Sequence, residues 1–314
     1  MEPVQFKILL SDEDSGQRFD RVVANWLSDY SRARLQIWIT DGSITVDGKM
    51  VAPRYRIKGG ESVVATLPPP TDTGHKVLAE NIPLTIHYSD EHLFVINKPA
   101  GLVMHTAPGN YHGTLQNGLL HLDPSLASIP RAGIVHRLDK DTSGLVMIAR
   151  TLKAHFDLVR QLQDRSVHRV YDAIIQGEMV AGGVVDEPIG RHPVDRKRMA
   201  VNERGKTAVT HYRVVQKFQR HCHISVKLET GRTHQIRVHM AHIQHPLIGD
   251  SVYGRRNLPA KVSDRLKKLI VEFPRQALHA RELGIEHPET RETMLWQSDM
   301  PEDMQHLIEC LAAE

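Results

Sequence analysis

A polar loop between two apolar segments is the feature of this sequence that most restricts its fold. The stretch from Gly133 to Arg150 reads GIVHRLDKDTSGLVMIAR, in which an apolar pair precedes the polar residues and Leu145–Ala149 follow them. Short apolar segments on both sides of a charged turn predict a strand, a loop and a second strand. Because loops held between buried strands often present catalytic groups, we expect a functional site here.

Asp139 is a carboxylate of this loop with basic neighbours. It lies among Arg137, Lys140 and Asp141, and cations within a few Å keep a carboxylate ionised even where it is partly buried. The same residues also fit a charged turn that only faces solvent. Taken alone, they leave both interpretations open.

Composition is that of a globular chain long enough for two domains. The 314 residues are 40% hydrophobic, and no apolar run approaches the length of a membrane helix. The N-terminal MEPVQFKILLSDED lacks the basic start and small-residue cleavage site of a signal peptide. Cys222 and Cys310 are the only cysteines, which excludes a disulfide framework and fits a reducing compartment. We therefore expect a cytoplasmic protein.

Basic residues are concentrated in two segments, although the formal net charge is only +3. Residues 31–60 and residues 191–206 each contain six basic and two acidic residues. Local basic patches of this kind are what contacts to nucleic-acid phosphates require. Two solvated charged faces are the alternative interpretation.

Helical spacing and turn signals predict two domains. Residues 15–68 fit a small α/β unit, with Ser31 as a helix N-cap and a hairpin turn at Asp47-Gly48. The prolines at 68–70 begin an extended, polar linker. We predict an N-terminal domain at 1–70, a linker at 71–81 and a second domain at 82–314. In the second domain, helices are predicted at Thr114–His121, Leu152–Leu162 and Glu302–Leu311, and Thr233 is predicted to cap another.

The N-terminal segments GQRFDRVV, YSRARLQIWI, DGSITVDGK and GGESV resemble an S4 domain, a small RNA-binding module. The resemblance implies that the second helix and the hairpin after it contact RNA. On this basis we assign RNA contacts to Arg32, Arg34, Arg54 and Lys58. Asp47 stands where S4 domains usually have Asn, which keeps the turn but adds a negative charge.

The stretch HRLDKDTSG resembles the central motif of the RluA family of pseudouridine synthases. NKPAGLVMH and GRTHQIRVH, which begin at Asn97 and Gly231, resemble two further motifs of that family. The resemblance implies that Asp139 is the catalytic carboxylate, that Tyr171 is an active-site tyrosine and that Arg232 ion-pairs with Asp139. The remaining motif residues that we assign to RNA binding are Lys98, His105, His136 and Arg137.

The resemblance covers nearly the whole chain and implies an α+β fold. An S4 domain is expected to precede a catalytic domain with a central mixed, mainly antiparallel sheet. DYSRARL, PRAGIVHRLDKDTSGL, DEPIGRHP and RVHMAHIQHPLIGDSVYG are most similar to family members that modify the helix-69 stem-loop of large-subunit (23S) ribosomal RNA. The implied partners are this RNA or a pre-50S particle, with no membrane, and a monomer is expected.

No cofactor and no metal are predicted. Pseudouridine formation breaks the C1′–N1 bond and joins C5 to C1′ without redox change, and a carboxylate can attack C1′ or remove the 2′ proton. The sequence does not choose between these routes. It contains no P-loop and no GxGxxG, and its 20 histidines form no ligand set at a familiar spacing.

Three alternative functions compete with that of a pseudouridine synthase acting on this RNA. A non-catalytic S4-type RNA-binding or ribosome-assembly protein predicts a damaged catalytic motif, whereas HRLD, Tyr171 and GRTHQIR are intact. A glycoside hydrolase needs two opposed carboxylates and commonly many aromatics, and aromatics are 5% here. A synthase of the same family that acts on other ribosomal or transfer RNA uridines also fits.

Overall fold

The computed structural model describes residues 4–27, 32–67, 77–107, 109–195, 198–254 and 263–314. The chain divides into two compact units, residues 1–76 and 77–314. The predicted N-cap Ser31 and residues 71–76 of the predicted linker lie outside the described residues. Residues 77–81, also predicted as linker, belong to the second unit, where the Glu80 N–H donates to the Asn117 carbonyl at 3.0 Å.

Unit 1 packs two helices against a three-stranded antiparallel sheet. Its elements are β1 (Val4–Leu9), α1 (Phe19–Trp26), α2 (Arg32–Thr40), β2 (Ile44–Val46) and β3 (Ser62–Leu67). The strand order is β1-β3-β2. Apolar residues at helical spacing meet the sheet in a small core, because Phe19, Leu35, Ile39, Ile44 and Val63 are all fully buried.

The turn predicted at Asp47-Gly48 is confirmed, but its hairpin is short. Asp47 and Gly48 have φ of 48° and 72°, in the left-handed region that this dipeptide accepts. The backbones of Val46 and Lys49 exchange hydrogen bonds of 3.0 and 2.8 Å. Beyond that bridge, β2 pairs with β3 rather than with the residues after the turn.

Unit 2 is built on a nine-stranded sheet with helices on both faces. Its helices are α3 (Leu115–Leu122), α4 (Leu152–Gln163), α5 (Gln235–His242), α6 (Asp264–Glu272) and α7 (Glu302–Ala312). Its strands are β4 (Thr85–Ser89), β5 (Leu93–Lys98), β6 (Ser143–Ala149), β7 (His168–Gln176), β8 (Gly183–Asp186), β9 (Ile189–Arg191), β10 (Met199–Val201), β11 (Val209–Lys217), β12 (His221–Leu228), β13 (Leu278–Glu286) and β14 (Thr293–Gln297).

The large sheet has the order β4-β5-β6-β13-β7-β12-β11-β8, and β14 also pairs with β13. Its pairs are antiparallel except β6–β13, which is parallel, so the predicted mixed, mainly antiparallel sheet is confirmed. The parallel contact is close at Gly144, where a Cβ atom would lie 2.3 Å from the Ala280 carbonyl oxygen. Gly144 also has φ of +112°, so the start of β6 requires glycine. Strands β9 and β10 form a separate hairpin.

Both faces of the strand that follows the polar loop are covered. Val146 and Ile148 pack in the cluster that contains Leu115 of α3, whereas Leu145 and Met147 pack in the cluster that contains Leu158 of α4. Alternate residues of a strand point to opposite faces, and burial on both faces explains the continuous apolar run of β6. The loop before β6 is therefore fixed to the rigid centre of the sheet.

The helices predicted at Thr114, Leu152 and Glu302 are confirmed as α3, α4 and α7, with Thr114 as the N-cap of α3. Two other predictions are wrong. The segment before the polar loop is not a strand, since only Ile134 forms a bridge, to Ile148. The residue at the N-cap of α5 is His234, not Thr233. Within the described ranges, no helix has the length and apolar character needed to cross a membrane.

Candidate active site

A cavity of about 690 Å³ opens beside the polar loop in unit 2. The loop from His136 to Thr142 forms one wall, and β7 and the start of α5 contribute to the others. The sequence-predicted residues that line it are His105, His136, Arg137, Asp139, Tyr171 and Arg232. Folding therefore brings together six of the residues that were assigned from separate motifs.

A side chain replaces the missing strand on the N-terminal side of the loop. The Met147 N–H donates to Nε2 of His136 at 3.0 Å, where a strand would offer a backbone carbonyl. Burial lowers the pKa of His136 to about 3, and the nearby Arg169 cation lowers it too, so the imidazole is neutral and can accept. His136 was predicted to contact RNA, but its Nε2 is used within the protein. Because this side chain satisfies the Met147 N–H, the backbone at His136 does not need to pair with β6.

Lys98 holds the loop from beneath and does not contact RNA. Its side chain is fully buried, and Nζ donates to the carbonyls of Pro99, Leu102 and Lys140 at 2.7, 3.0 and 2.9 Å. An ammonium group has three donors, so none remains for a phosphate. Burial lowers the pKa of Lys98 to about 8, partly opposed by Asp141 and Asp139. The prediction of an RNA contact is therefore wrong, because carbonyls of the protein already use all three donors of this buried side chain.

Asp139 is held by Arg237, which also binds a second carboxylate. Nη1 of Arg237 donates to Oδ2 of Asp139 at 3.0 Å. Its Nε and Nη2 donate to the two oxygens of Asp250 at 2.7 and 3.0 Å. The side chain of Asp139 is 14% exposed and that of Asp250 is fully buried. One oxygen of Asp139 is therefore fixed while the carboxylate still reaches the cavity.

The charges of this group stabilise one another. Burial alone would lower the pKa of Arg237, but the hydrogen bonds to Asp250 and the charges of both carboxylates raise it above its ordinary value. Burial alone would raise the pKa of Asp250, yet Arg237 and the backbone N–H groups of Tyr253 and Val252 lower it. A buried arginine that bridges two carboxylates stays charged because its partners are close.

The predicted ion pair between Arg232 and Asp139 is wrong. Nε of Arg232 donates to the Thr207 carbonyl at 3.1 Å, and Arg237 occupies the position beside Asp139. Both arginines belong to GRTHQIRVH, but Arg232 precedes α5, whereas Arg237 lies within it and is buried. The side-chain amide of Gln235 accepts the Arg232 N–H at 2.9 Å and fixes that turn. Arg232 still lines the cavity.

Tyr171 and Arg169 present their side chains from one face of β7, as residues two apart in a strand do. Tyr171 is only 6% exposed. Burial raises its pKa, Arg169 opposes that effect and Asp139 adds to it. Arg169 is also buried, with Nη2 donating to the Glu229 carbonyl at 3.2 Å. The tyrosine is therefore neutral, and a cation and the carboxylate are both close enough to affect its pKa.

The other predicted RNA contacts differ in accessibility. Arg137 is exposed at the cavity and His105 is half-buried there; burial lowers the pKa of His105, as do Arg137 and Arg131. In unit 1, Arg54 and Lys58 are exposed. Arg34 lies over the Trp38 ring at 5.0 Å. Arg32 begins α2, and its side chain lies outside the described residues.

Asp250, Arg237, His234 and Tyr253 are the site residues that the motif assignments missed. All four occur in segments that were matched to the family, GRTHQIRVH and HPLIGDSVYG. A buried carboxylate needs a cation, and that requirement could have indicated Asp250 as the second partner of an arginine. In the part of the chain that the structure describes, no three His, Cys, Asp or Glu side chains are grouped to hold a metal ion.

Comparisons with known proteins agree with this geometry. Residues 92–242 match the family described as RNA pseudouridylate synthase, and residues 17–63 match the S4 domain. The chain is 53% identical to ribosomal large subunit pseudouridine synthase D of Pseudomonas aeruginosa, over 95% of this chain and 93% of that protein. This chain belongs to the RNA pseudouridylate synthase family. The resemblance to the RluA family is thereby confirmed.

Two further relatives extend the comparison. The pseudouridylate synthase chain is 47% identical to ribosomal large subunit pseudouridine synthase D of Escherichia coli strain K12, over 99% of this chain and 95% of that one. It superposes on human RNA pseudouridylate synthase domain containing 4 with a TM-score of 0.57 and 27% identity, covering 72% of this chain and 92% of that chain. The protein is an RNA uridine isomerase with an S4 domain.

Proposed function

We propose that this pseudouridine synthase modifies uridines of large-subunit ribosomal RNA, in the helix-69 stem-loop, and so contributes to ribosome biogenesis. The names of the two relatives specify the ribosomal large subunit, and the likeness extends over nearly all of each chain. The segments that resemble helix-69 enzymes include the Asp139 loop and α5. The proposal includes a cytoplasmic location, a monomeric state, and this RNA or a pre-50S particle as the substrate.

Asp139 is the residue to which we assign the chemistry. The observation that carries this assignment is the unequal environment of its oxygens, since Oδ2 accepts from Arg237 at 3.0 Å and Oδ1 has no hydrogen bond within the described residues. A carboxylate held at one oxygen can use the other to attack C1′ or to take the 2′ proton. Glu229, which also lines the cavity, is paired with His211 at 2.6 Å. A glycosidase-like pair of free carboxylates is therefore not favoured.

Tyr171 and Arg137 are assigned to handling the base. The target uridine has to leave its stack to reach a cavity, and the buried Tyr171 ring offers a stacking surface for it. Its phenol group can also take part in removing the C5 proton before the product leaves. Arg137 is exposed two residues before Asp139, where it can fill the space that the base vacates.

Unit 1 is assigned to affinity rather than to chemistry. Its exposed Arg54 and Lys58 provide charges for phosphate contacts, and the unit matches the S4 domain over residues 17–63. Such contacts fix register on the RNA without participating in the reaction.

The test pairs a catalytic variant with a matched surface variant. Asp139→Asn keeps the size of the side chain and removes its charge, whereas Asp264→Asn makes the same change at an exposed residue of α6. Each protein is incubated with a helix-69 stem-loop transcript and with pre-50S particles, and pseudouridine is mapped by position. We expect no detectable product from Asp139→Asn, full activity from Asp264→Asn, and RNA affinity within about tenfold in both.

Two results would contradict the proposal separately. Turnover by Asp139→Asn near that of the parent protein would exclude Asp139 as the reacting group. Pseudouridine at other positions, with an unmodified helix-69 stem-loop, would exclude the proposed target while leaving the chemistry intact.

A further inference from the structure

His234 lies between Asp139 and Tyr253 at the edge of the cavity. Its Nδ1 is 2.8 Å from the Tyr253 hydroxyl oxygen, and its Nε2 is 3.9 Å from Oδ1 of Asp139. The two rings meet nearly edge to face, at 77° and 5.6 Å. Oδ1 is the oxygen that Arg237 does not hold, so His234 faces the reactive side of the carboxylate.

The hydroxyl of Tyr253 determines which nitrogen of His234 carries the proton. The Met199 N–H donates to the Tyr253 oxygen at 2.9 Å, and the hydroxyl hydrogen is then available for Nδ1 of His234. If Nδ1 were protonated, the phenol oxygen would face two donors and its own hydrogen would have no acceptor among the described residues. The arrangement that satisfies every group leaves Nδ1 as an acceptor and places the hydrogen on Nε2.

The surroundings of His234 keep its ring neutral. Burial lowers its pKa from the ordinary 6.5, and the Arg237 and Arg137 cations lower it further. The negative charges of Asp139 and Asp250 oppose this lowering without cancelling it. These four are the charged groups that affect the ring, and the Tyr253 hydroxyl and Asp139 are the groups that the ring faces directly. A neutral imidazole with a fixed tautomer donates from one nitrogen only.

The backbone of His234 is unusual and supports a specific role. It has φ of 57° and ψ of 23°, a left-handed conformation that costs energy for a residue with a side chain. Its side chain makes no capping hydrogen bond to α5, although it occupies the N-cap. The strained position instead directs the ring to Asp139 and Tyr253.

We propose that Tyr253 and His234 are positioning residues, in which Tyr253 fixes the His234 tautomer so that Nε2–H is directed at Oδ1 of Asp139. This inference rests on the proposed role of Asp139. A separation of 3.9 Å is longer than a hydrogen bond, and such contacts often shorten only when substrate is bound. The donor then orients the free oxygen towards the sugar without adding a charge. Because Tyr253 also accepts from Met199 in β10, the hairpin β9–β10 contributes to the same alignment.

The first test measures the tautomer in the free full-length protein. Imidazole nitrogens with and without hydrogen resonate in separate ¹⁵N regions, and the His234 signals are assigned by their loss in His234→Asn. We expect Nε2 to be protonated in the parent protein and a mixture of tautomers in Tyr253→Phe. Tyr88→Phe is the matched control, since it also removes a hydroxyl hydrogen bond of 2.8 Å, to Asp90, outside the cavity. Protonated Nδ1 in the parent protein would overturn the inference, whatever the role of Asp139.

The second test uses the reach of the substituted side chain. The amide nitrogen of Gln can take the place of Nε2 and reach towards Asp139, whereas that of Asn is shorter but better suited to a left-handed backbone. If His234 serves only the backbone conformation, His234→Asn should retain more activity. If His234 positions Asp139, His234→Gln should retain more. We expect Gln to retain more activity than Asn. More activity in Asn than in Gln would contradict the proposal.

The third test separates turnover from binding. Tyr253→Phe should lower kcat about tenfold, the equivalent of the one hydrogen bond lost at His234, with KM within about twofold. Tyr88→Phe should leave both unchanged. An unchanged kcat in Tyr253→Phe would overturn the inference. An active Asp139→Asn would instead contradict the proposed function, and the tautomer measurement would still stand by itself.

Discussion

Arg237 binds Asp250 with two hydrogen bonds, of 2.7 and 3.0 Å, and has one nitrogen left for Asp139. Asp250 thus fixes the plane of the guanidinium before any substrate arrives. The planar fork of arginine matches a carboxylate at two points, which an ammonium group cannot do. The orientation of the proposed reacting group therefore depends on a carboxylate that is itself out of reach of RNA.

Asp250→Asn should weaken both stability and turnover. It leaves the buried Arg237 with one carboxylate, and breaking a buried ion pair costs about 3 to 5 kcal/mol. The pKa of Asp250 is below its ordinary 3.8 in the folded chain, so its stabilisation is complete above that pH and is lost as pH falls through the lower folded value. Urea unfolding at pH 7 and pH 3 should show a smaller gap between parent and variant at pH 3. An equal gap at both pH values would contradict this account.

Arg237 and Arg232 should behave differently in double-mutant cycles with Asp139→Asn. Arg237→Ala leaves a partly buried carboxylate unpaired, so the combined loss of stability with Asp139→Asn should be smaller than the sum of the single losses. Arg232→Ala should be additive with Asp139→Asn, because Arg232 donates to the Thr207 carbonyl instead. Arg237→Lys should recover part of the loss. If Arg232→Ala but not Arg237→Ala were coupled to Asp139→Asn, the partner of Asp139 would be Arg232, as expected from the sequence.

Lys98→Met should destabilise the protein without removing an RNA contact. Three carbonyls lose their buried donor, and we expect a loss of about 2 to 4 kcal/mol at pH 7. The pKa of Lys98 falls from 10.5 in the unfolded chain to about 8 in the folded one. The unfolded chain binds more protons between these values, so the contribution of Lys98 to stability rises with pH from 8 to 10.5.

Unfolding measured from pH 7 to pH 10 checks this sign, because the difference between parent and Lys98→Met should grow with pH. Lys140→Met is the control, since that side chain is exposed and its loss should change stability by no more than about 0.5 kcal/mol. A difference that shrinks as pH rises would show that Lys98 is bound as a stabilised cation.

His136→Gln tests the side chain that replaces a strand. The pKa of His136 is about 3 in the folded chain and 6.5 when unfolded, so the parent protein should lose stability as pH falls from 6.5 towards 3. Part of this effect is screened because the ring is only half-buried, so the slope should be below about 1.4 kcal/mol per pH unit. Gln can accept a hydrogen bond but does not titrate, so its profile should be flatter. Parallel profiles would show that folding does not lower the pKa of His136.

Arg54→Gln combined with Lys58→Gln tests the role of unit 1. Binding of a helix-69 transcript, measured from 50 to 300 mM salt, should show a slope reduced by about two, since each lost phosphate contact removes about one counterion. The rate at saturating RNA should not change. Lys7→Gln combined with Arg21→Gln removes two other exposed charges of unit 1 as a control. Equal slopes in both double variants would argue against the assigned contacts.

The sequence was most informative where several requirements coincide. Asp139 and Tyr171 could be predicted in or beside buried strands, because short apolar runs bounded by turn signals fit such strands, and the motif resemblance then assigned both to one site. Helices α3, α4 and α7 were predicted from the same periodicity. The S4 unit was recognised because its short segments occur in the expected order, although β1 was not predicted.

The arginine partner of Asp139 could not be chosen from the sequence. Arg232 and Arg237 lie five residues apart in one motif, and the choice depends on where α5 begins. That start is set by the left-handed His234 and by Gln235, which accepts the Arg232 N–H, and such contacts leave no periodic pattern. Lys98 was misassigned for a related reason, because a cation that binds carbonyls looks the same in a sequence as one that binds phosphate.

The bond from Met147 to His136 has a consequence for observing the site in solution. The Met147 amide belongs to a strand that is buried on both faces, yet its acceptor is a side chain of the polar loop. Its hydrogen exchange therefore reports the detachment of that loop, while the exchange of other β6 amides reports the opening of the sheet. The exchange rate of this single backbone amide thus measures how often the loop that forms one wall of the cavity opens.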